Sequence, residues 1–320
     1  MSLARAYTNI ALVKYWGKRD VAQMLPYNSS LSLTLDKFYT ETSVEFTDQA
    51  EDQFIFEGQQ QPVSAKMMRV LDDVRQLAGS QQKAQVKSHN HVPTSAGLAS
   101  SASAFAALAV AASHAAGLEL SRRELSILAR HGSGSASRSL YGGFVLWHAG
   151  TDDQSSFAEP LSEQVDFPIA VIAVLVNQQQ KSILSGAGMQ AAVTSSPYYS
   201  AWVKTAEADI SRMSAAIADQ DIAQIGKLAE TNAMRMHATT LSADPPFTYF
   251  APETLQIWEL VRQIRTKGLN CYLTLDAGPN PKLICHMQDV SKIVAILNAE
   301  IPNLTYTLCQ PGPGAKLMAQ

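Results

Sequence analysis

The sequence predicts a two-lobed α+β protein, and three observations support this fold class. Its 320 residues leave room for two domains of about 150 residues each. Apolar residues make up 46% of the chain and charged residues only 17%, so much of the chain must be buried in a core. The first half is rich in strand patterns, whereas long helical patterns dominate the second half. We therefore expect lobes at residues 1–167 and 168–320, with the boundary near Phe167–Gln180.

The first half should begin with strands and continue with helices. The strand predictions rest on clustered or alternating apolar residues and on β-branched and aromatic content. The helix predictions rest on apolar residues at helical spacing and on an Ala-rich segment that ends before Gly117. Two polar stretches, GQQQPV and SQQKAQ, look like loops. In chain order, the predicted elements are strands at Ile10–Val13, Ser30–Leu35 and Tyr39–Phe46, helices at Val63–Leu77, Leu98–Ala116 and Leu125–Arg130, and a strand at Phe144–Trp147.

The second half opens with a continuous apolar run, Ile169–Val176, which is typical of a strand covered on both faces. Amphipathic patterns then predict long helices, and two short apolar segments flank a DAGPNP turn. The predicted elements are helices at Ala201–Ala218, Ile222–His237 and Glu253–Lys267, strands at Leu269–Leu275 and Lys282–His286, and a helix at Val290–Glu300.

Charge and composition exclude several classes of protein. The chain has 25 Lys and Arg against 28 Asp and Glu, so we expect no partnership with nucleic acid or an anionic membrane. No apolar run approaches the ~20 residues that cross a bilayer. The N-terminal residues lack a secretory pattern, so we expect a cytoplasmic protein. Its three cysteines show no CxxC spacing and its histidines no HExxH pattern, which argues against a disulfide framework or a zinc site.

The segment PTSAGLASSASA, Pro93–Ala104, has the composition of an anion-binding loop. It places a glycine and several hydroxyls at the start of the Ala-rich helix, where N–H groups are unpaired and the helix dipole is positive. Ser100, Ser101 and Ser103 could donate hydroxyl groups or hold a metal. An ordinary N-capped buried helix explains the same composition equally well. The P-loop pattern GxxxxGK[ST] is absent.

Within this segment, PxxxGLxSSA resembles the phosphate loop of the GHMP kinase superfamily. Three further segments resemble the diphosphomevalonate decarboxylase family within it: TNIALVKYWGKRD at Thr8–Asp20 with the following LPYNSSLSLTL, RHGSGSASRSLYGGFVLW at Arg130–Trp147, and LDAGPNPKL at Leu275–Leu283. The resemblance runs in order over most of the chain. It implies an N-terminal lobe like ribosomal protein S5 domain 2 and a ferredoxin-like C-terminal lobe.

The resemblance implies an enzyme that uses ATP and Mg²⁺ to phosphorylate the 3-hydroxyl of mevalonate 5-diphosphate. Loss of phosphate and CO₂ then gives isopentenyl diphosphate. Phosphorylation turns a poor leaving group into a good one, so the protein has chiefly to position its ligands and stabilise charge. Relatives are often homodimers, which implies the same assembly here.

Three residues carry the implied chemistry. Asp276 would lie beside the 3-hydroxyl and orient it, and Lys14 would lie near Asp276 and the transferred phosphate. Arg138, among serines and glycines with no nearby acid, would grip the carboxylate that leaves as CO₂. The bare sequence also allows a turn-forming aspartate and solvated basic side chains at these positions.

The remaining site residues follow from the same matched segments. The implied substrate-binding residues are Asn9, Tyr15, Lys18, Ser133, Ser135, Arg138, Ser185 and Met189. The implied nucleotide-binding residues are Pro93, Gly97, Leu98, Ala99, Ser100, Ser101 and Ser103, with Ser101 as a candidate Mg²⁺ contact.

One departure from the family pattern leaves alternatives open. The family commonly has a Ser-Ser or Ser-Arg pair shortly before Gly-Met, in which the serine and sometimes an arginine touches phosphate. The segment KSILSGAGM, from Lys181 to Met189, keeps Ser185 and Met189 but has no arginine, and Lys181 is a candidate to replace it. Decarboxylation of mevalonate 5-phosphate, and 3-kinase chemistry without decarboxylation, are therefore alternatives. A non-enzymatic ligand-binding protein is a further alternative and would bind nucleotide without turnover. The presence of all four charged residues of the family pattern argues against it: Asp276, Arg138, Lys14 and Lys18. We expect the segment Thr47–Pro62 to be mobile.

Overall fold

The chain forms two lobes, each a sheet covered by helices, in a computed structural model that describes residues 1–91, 100–176 and 183–319. The first lobe contains β1 Ser2–Val13, β2 Lys18–Asp20, β3 Leu25–Pro26, β4 Ser30–Thr47, β5 Gln53–Phe56, β6 Gln59–Gln61, α1 Ala65–Ala78, β7 Lys83–His91, α2 Ser100–Ala115, α3 Arg122–Gly132, a 3₁₀ helix at Gly134–Leu140, β8 Phe144–Trp147 and β9 Ala158–Ser162. The second contains β10 Ile169–Leu175, α4 Ser185–Ser195, α5 Tyr199–Ala218, α6 Ile222–Leu241, α7 Pro252–Thr266, β11 Cys271–Thr274, β12 Lys282–His286, a 3₁₀ helix at Met287–Asp289, α8 Val290–Glu300 and β13 Thr305–Cys309, after which β14 Lys316–Leu317 returns to the first lobe.

The first lobe is built on one eight-stranded sheet. Its strand order is β14-β1-β4-β7-β5-β6, with β8 paired to β4 and β9 to β8. Helix α2 packs across β1 and β4, and its alanines are buried against them because small side chains allow a close approach. The pairing of β14 with β1 joins the end of the chain to the lobe in which it begins. The division at residue 167 stays a prediction.

The second lobe has the strand and helix order βαββαβ around a four-stranded antiparallel sheet, β11-β12-β10-β13. This is the ferredoxin-like arrangement, and the predicted two-lobed α+β class is confirmed. Strand β10 is covered on both faces, as its apolar run predicts. Ala170, Ile172 and Val174 face α7 and α8, while Ile169 and Val171 belong to a core shared with β1, β4, α5 and α6. That shared core holds the lobes together.

The structure corrects several expected boundaries. The two strands predicted at Ser30–Leu35 and Tyr39–Phe46 form one 18-residue strand, β4. The polar stretches GQQQPV and SQQKAQ are not simple loops, because they contain β6 and the start of β7. In β7 every second residue, Ala84, Val86 and Ser88, is buried, and neighbouring strands supply the hydrogen bonds of its polar backbone. The segment Thr47–Pro62 contains the β5–β6 hairpin, and its mobility stays a prediction.

No helix in the described parts of the chain is long and apolar enough to span a bilayer.

Candidate active site

A cavity lies between the two lobes and gathers residues that are far apart in the sequence. The end of β1, the 3₁₀ helix, the starts of α1, α2 and α4, and the turn after β11 all contribute to its wall. Four cations and one carboxylate line the described part of this wall, which suits an anionic ligand. The predicted residues that line it are Asn9, Lys14, Tyr15, Lys18, Ser101, Ser133, Ser135, Arg138, Ser185, Met189 and Asp276.

Asp276 is held between two lysines. It follows β11, whose last residue Thr274 pairs with Lys282 at the start of β12, so the intervening turn brings Asp276 near that lysine. Lys282 Nζ lies 3.3 Å from Asp276 Oδ2, and Lys14 Nζ donates to Asp276 Oδ1 at 2.8 Å and to the Ala11 carbonyl at 2.7 Å. The two lysines are 2% exposed or less, whereas the Asp276 side chain is 23% exposed. Both ammonium groups are therefore fixed, and the carboxylate still reaches the cavity.

These contacts set the ionisation of the group. Burial alone would raise the pKa of the Asp276 carboxyl, but the ammonium groups of Lys14 and Lys282 outweigh it and hold that pKa well below its usual range. Burial lowers the pKa of Lys14, and Asp276 opposes that effect. Asp276 is thus a carboxylate near neutral pH, able to accept a hydrogen bond from a hydroxyl in the cavity.

The stability that Asp276 contributes should depend on pH. The folded pKa lies below the ordinary value of 3.8, so this contribution is complete above that value and is lost as pH falls from there toward the folded pKa. We expect Asp276→Asn to lower the free energy of unfolding more at about pH 7 than at about pH 3.5, because the parent has lost part of this contribution at the lower pH. Urea unfolding of the parent and of Asp276→Asn at both pH values measures this difference in the free energy of unfolding. The same difference at both pH values would contradict the expectation.

Arg138 is a buried cation without a counter-ion among the residues that the structure describes. It is 2% exposed, and its Nη1 donates to Ser30 Oγ at 2.6 Å and its Nη2 to Asn9 Oδ1 at 3.2 Å. Burial lowers the pKa of Arg138 to about 10, which leaves the guanidinium protonated near neutral pH. A buried charge with only neutral partners is costly, so an anionic ligand such as a carboxylate is its natural complement.

Small residues allow the 3₁₀ helix to place Arg138 against the wall. A Cβ on Gly134 would lie 2.7 Å from the Trp147 ring and 2.9 Å from Tyr15, so only glycine fits there without a shift. Asn9 then fixes this helix, because its Nδ2 donates to the Ser135 carbonyl at 3.1 Å and to Ser139 Oγ at 2.8 Å. Asn9 both orients Arg138 and reaches the cavity.

Hydroxyl and ammonium groups form the rest of the wall. The Tyr15 hydroxyl is buried and has no hydrogen-bond partner in the described structure, and burial raises the pKa of this phenol, so it stays a neutral donor. Ser133 Oγ lies 3.3 Å from Ser101 Oγ and 3.2 Å from Ser135 Oγ. Burial and the nearby Lys66 lower the pKa of Lys18. These donors suit phosphate oxygens.

Helix α4 begins at the cavity with Ser185, and its first-turn N–H groups have no side-chain cap. Such N–H groups and the positive end of the helix dipole favour an anion. Sequence patterns did not predict this helix, because its glycines and alanines show no apolar stripe.

Ser103 lies apart from the described cavity wall, and its role in nucleotide binding stays a prediction. Its side chain is fully buried between α2 and the sheet, its Oγ lies 2.7 Å from Thr40 Oγ1, and it does not line the cavity. It lies two residues beyond Ser101 and so faces a different side of the helix. Four predicted nucleotide-binding residues, Pro93, Gly97, Leu98 and Ala99, lie outside the described residues, as do the side chain of Ser100 and all of Lys181.

Sequence patterns also missed several residues of the site. Lys282 has the pattern of an ordinary lysine at the start of a strand, but it pairs with Asp276. Lys66 has the pattern of a solvated position of α1, but it lines the cavity. Ser30 and Asn28 lie in the segment LPYNSSLSLTL. No local pattern shows that Ser30 accepts a hydrogen bond from Arg138 or that Asn28 donates one to the Lys14 carbonyl. The turn DAGPNPKL was the one signal that could have pointed to Lys282.

Mg²⁺ is expected to arrive with the nucleotide. Within the described ranges, no group of three His, Cys, Asp or Glu side chains could hold a metal by itself. Mg²⁺ commonly binds through substrate phosphates, water and one or two protein oxygens, so the lining hydroxyl of Ser101 is compatible with that mode.

The fold and the cavity together define an enzyme of the GHMP kinase superfamily, with an anion-binding cleft between an N-terminal lobe and a ferredoxin-like lobe. Two family models match the chain. The one described as "Diphosphomevalonate decarboxylase-like N-terminal domain" matches residues 6–158, and the one described as "Mevalonate 5-diphosphate decarboxylase C-terminal domain" matches residues 170–311. The chain belongs to the diphosphomevalonate decarboxylase family.

Individual relatives agree with the family models. The diphosphomevalonate decarboxylase of Rattus norvegicus is 33% identical over 326 residues, covering 94% of this chain and 80% of its own. The structure of mevalonate diphosphate decarboxylase from Staphylococcus aureus is 42% identical, with a TM-score of 0.95 over 99% of this chain and 98% of that one. The structure of MDDEF in complex with MVAPP, AMPPCP and magnesium is 45% identical, with a TM-score of 0.94 over 100% of this chain and 99% of that one.

Proposed function

We propose that this chain catalyses the ATP-dependent decarboxylation of mevalonate 5-diphosphate to isopentenyl diphosphate, with ADP, phosphate and CO₂ as the other products. Family membership and the MDDEF complex, which holds MVAPP, AMPPCP and magnesium together, support this activity. The observation that carries it is the buried guanidinium of Arg138, which has no counter-ion in the described chain and opens on the same cavity as Asp276 and Lys14.

The residues divide the reaction between them. Mg²⁺ATP supplies the phosphoryl group. The Asp276 carboxylate accepts a hydrogen bond from the 3-hydroxyl and aims its oxygen at that group, and Lys14 offsets the negative charge of the transferring phosphoryl. As the 3-oxygen bonds to the γ-phosphorus, the bond from that phosphorus to ADP breaks and the hydroxyl loses its proton. Because two ammonium groups stabilise the Asp276 carboxylate, Asp276 acts chiefly by orienting the hydroxyl, and the proton passes through it to the phosphate products or to water.

Arg138 serves the second half of the reaction. It pairs with the substrate carboxylate and holds the bond to be broken in line with the departing 3-phosphate. When the phosphate leaves, the carbon that carried it becomes electron-poor, and the electrons of the bond to the carboxylate form the double bond as CO₂ departs. Ligands that fill the cavity displace water from it and so protect this electron-poor centre from attack.

The diphosphate of the substrate is assigned to the donors of the remaining wall. Tyr15, Lys18, Ser133, Ser135 and the start of α4 at Ser185 offer neutral and charged donors, and Met189 packs beside them. The nucleotide phosphates are assigned to the start of α2 at Ser101, with the loop that precedes it. Lys181 stays a candidate for the distal phosphate.

A coupled ADP-release assay tests the proposal. Mevalonate 5-diphosphate and mevalonate 5-phosphate are each supplied with Mg²⁺ATP, and the organic product and CO₂ are followed by mass spectrometry. We expect isopentenyl diphosphate and CO₂ from the diphosphate, in a one-to-one ratio with ADP. Faster turnover of the monophosphate would reassign the substrate, and ADP release without CO₂ would reassign the chain to 3-kinase chemistry.

The proposal includes a cytoplasmic location and a homodimer. Three buried cysteines without disulfide partners are typical of a reducing compartment and support the location. The homodimer rests on the resemblance alone, and sedimentation equilibrium of the purified protein measures it.

A further inference from the structure

A buried chain of polar side chains from the second lobe reaches the backbone of Lys14. Asn232 Oδ1 on α6 accepts the Lys14 backbone N–H at 2.8 Å, and Asn232 Nδ2 donates to Asp209 Oδ2 on α5 at 3.1 Å. Asp209 is 1% exposed and Asn232 is fully buried. Neither side chain lines the cavity, so the chain stands behind the site rather than in it.

The Asp209 carboxylate determines how the Asn232 amide is oriented. A carboxylate only accepts hydrogen bonds, so it must face the NH₂ end of the amide, which leaves the carbonyl end for the Lys14 N–H. Arg212 Nη1 and Arg235 Nη1 donate to Asp209 at 3.2 Å and 3.1 Å and compensate its buried charge. If Asp209 were neutral, the amide could turn and present a donor to the Lys14 N–H.

Lys14 needs this support because it lies just beyond the sheet. Strand β1 ends at Val13, after a register shift between Ala11 and Val13, and Asn232 takes the place of a strand partner for the Lys14 N–H. Asn28 Nδ2 donates to the Lys14 carbonyl at 2.9 Å from the other side. The backbone that carries the ammonium group is therefore clamped by two buried amides.

The hydrogen bonds from Asp209 through Asn232 to the Lys14 backbone, here called the clamp, also join the two lobes next to the Lys14 ammonium group. Lys14 belongs to the first lobe, whereas Asn232 and Asp209 belong to the second, which also carries Asp276. A displacement of the first lobe that would separate Lys14 from Asp276 must also break the bond to Asn232.

We propose that Asp209 and Asn232 are positioning residues, which act through Lys14 by holding its ammonium group against Asp276. This inference rests on the proposed function for its kinetic readout. A misplacement of about 1 Å at a reacting group can cost about 10²-fold in rate. We therefore expect Asp209→Asn and Asn232→Leu each to lower kcat by about tenfold to a hundredfold, with the KM of the mevalonate substrate changed by less than about twofold.

A double-mutant cycle tests the proposal. Each variant is made in the parent and in Lys14→Met, and kcat, KM and Tm are measured for all of them. If the two residues act through Lys14, neither lowers kcat further once the ammonium group has gone. The control is Asp52→Asn, because the Asp52 carboxylate is 9% exposed and pairs with the buried Arg75, away from the cavity. It should leave kcat unchanged in both backgrounds.

Amide hydrogen exchange supplies a readout that does not depend on the activity. By mass spectrometry, the amide of Lys14 should exchange faster in Asp209→Asn and Asn232→Leu than in the parent, and Asp52→Asn should leave it unchanged. An equal loss of kcat in the Lys14→Met background, or unchanged exchange at Lys14, would overturn the proposal. If the parent showed no turnover but the Lys14 amide exchanged faster in the variants, the proposed function would be wrong. The positioning of Lys14 by Asp209 and Asn232 would still be supported.

Discussion

Asp276→Asn should lower kcat by about 10³-fold and leave the binding of both ligands nearly unchanged, the largest effect expected of any single substitution here. The carboxylate touches the reacting hydroxyl, whereas the anionic parts of the ligands meet cations and hydroxyls elsewhere in the wall. Removing a negative charge from the cavity should, if anything, tighten the binding of anions. Steady-state kinetics gives kcat, and titration calorimetry with the diphosphate substrate and with AMPPCP gives the two affinities.

Asp276 contacts two buried lysines, so its substitution should also destabilise the fold. Asp52→Asn is the control that separates this loss of stability from a loss of activity. In Asp276→Asn the buried ammonium groups of Lys14 and Lys282 lose their carboxylate, so the Tm should fall. Asp52→Asn also removes the carboxylate partner of a buried cation, Arg75, and should lower the Tm, but its kcat should stay at the parent value. A kcat for Asp276→Asn within tenfold of the parent would remove Asp276 from the chemistry.

The sequence could predict site residues that lie in segments resembling the family, and for Asp276 and Arg138 the local surroundings supported the assignment. Asp276 follows a run of apolar residues in a glycine- and proline-containing turn, and Arg138 lies among small residues with no acid nearby. Each feature is visible within about ten positions of the chain. The structure brings both to one cavity, together with Lys14 and Lys18.

The residues that sequence patterns missed act through contacts between distant parts of the chain. The carbonyl of Leu275, next to Asp276, lies 3.3 Å from Nε2 of His237, and burial lowers the pKa of that histidine to about 4, yet nothing near His237 in the sequence indicates this neighbour. Asn232 and Asp209 likewise sit on helices whose patterns indicate burial alone. A buried polar side chain has the same local pattern whether it supports a site or only packs, and only the fold decides between them.

The same limit applies to the strands. Strand β4 continues through the polar residues Asp36 and Lys37, where its pairing with β1 is interrupted and its pairing with β7 has not begun. A distant segment supplies the partner there, because the Asp36 N–H donates to the Gln310 carbonyl at 3.0 Å and Leu35 bridges to Pro311. Strand β6 is exposed and polar, and its pairing with β5 alone makes it a strand. Local propensity cannot contain this information, because it belongs to the partner strand.

Arg138→Gln should lower kcat/KM by about 30-fold or more, which corresponds to about 2 kcal/mol of transition-state stabilisation. Glutamine can still donate to Asn9 or Ser30, so much of the local packing survives, but the substrate carboxylate loses its charged partner in a buried place. The carboxylate is bound before it leaves as CO₂, so both the KM of the substrate and kcat should suffer. Steady-state kinetics with mevalonate 5-diphosphate measures both.

Arg130 offers a matched control for this prediction, because both arginines are buried but their partners differ. Arg130 bonds to the carboxylate of Asp153 and to the carbonyls of Gln23 and Ser156, and it lies outside the cavity wall. Arg130→Gln should therefore lower the Tm more than Arg138→Gln and change kcat/KM less.

The opposite outcomes follow from the presence or absence of a counter-ion inside the chain. A buried arginine whose partners are all internal contributes to the fold, and one that lacks an internal counter-ion is available to a ligand. If Arg138→Gln proved the more destabilising substitution while kcat/KM stayed at the parent value, Arg138 would be a structural residue, and the carboxylate of the substrate would have to bind another cation of the cavity, Lys14, Lys18 or Lys66.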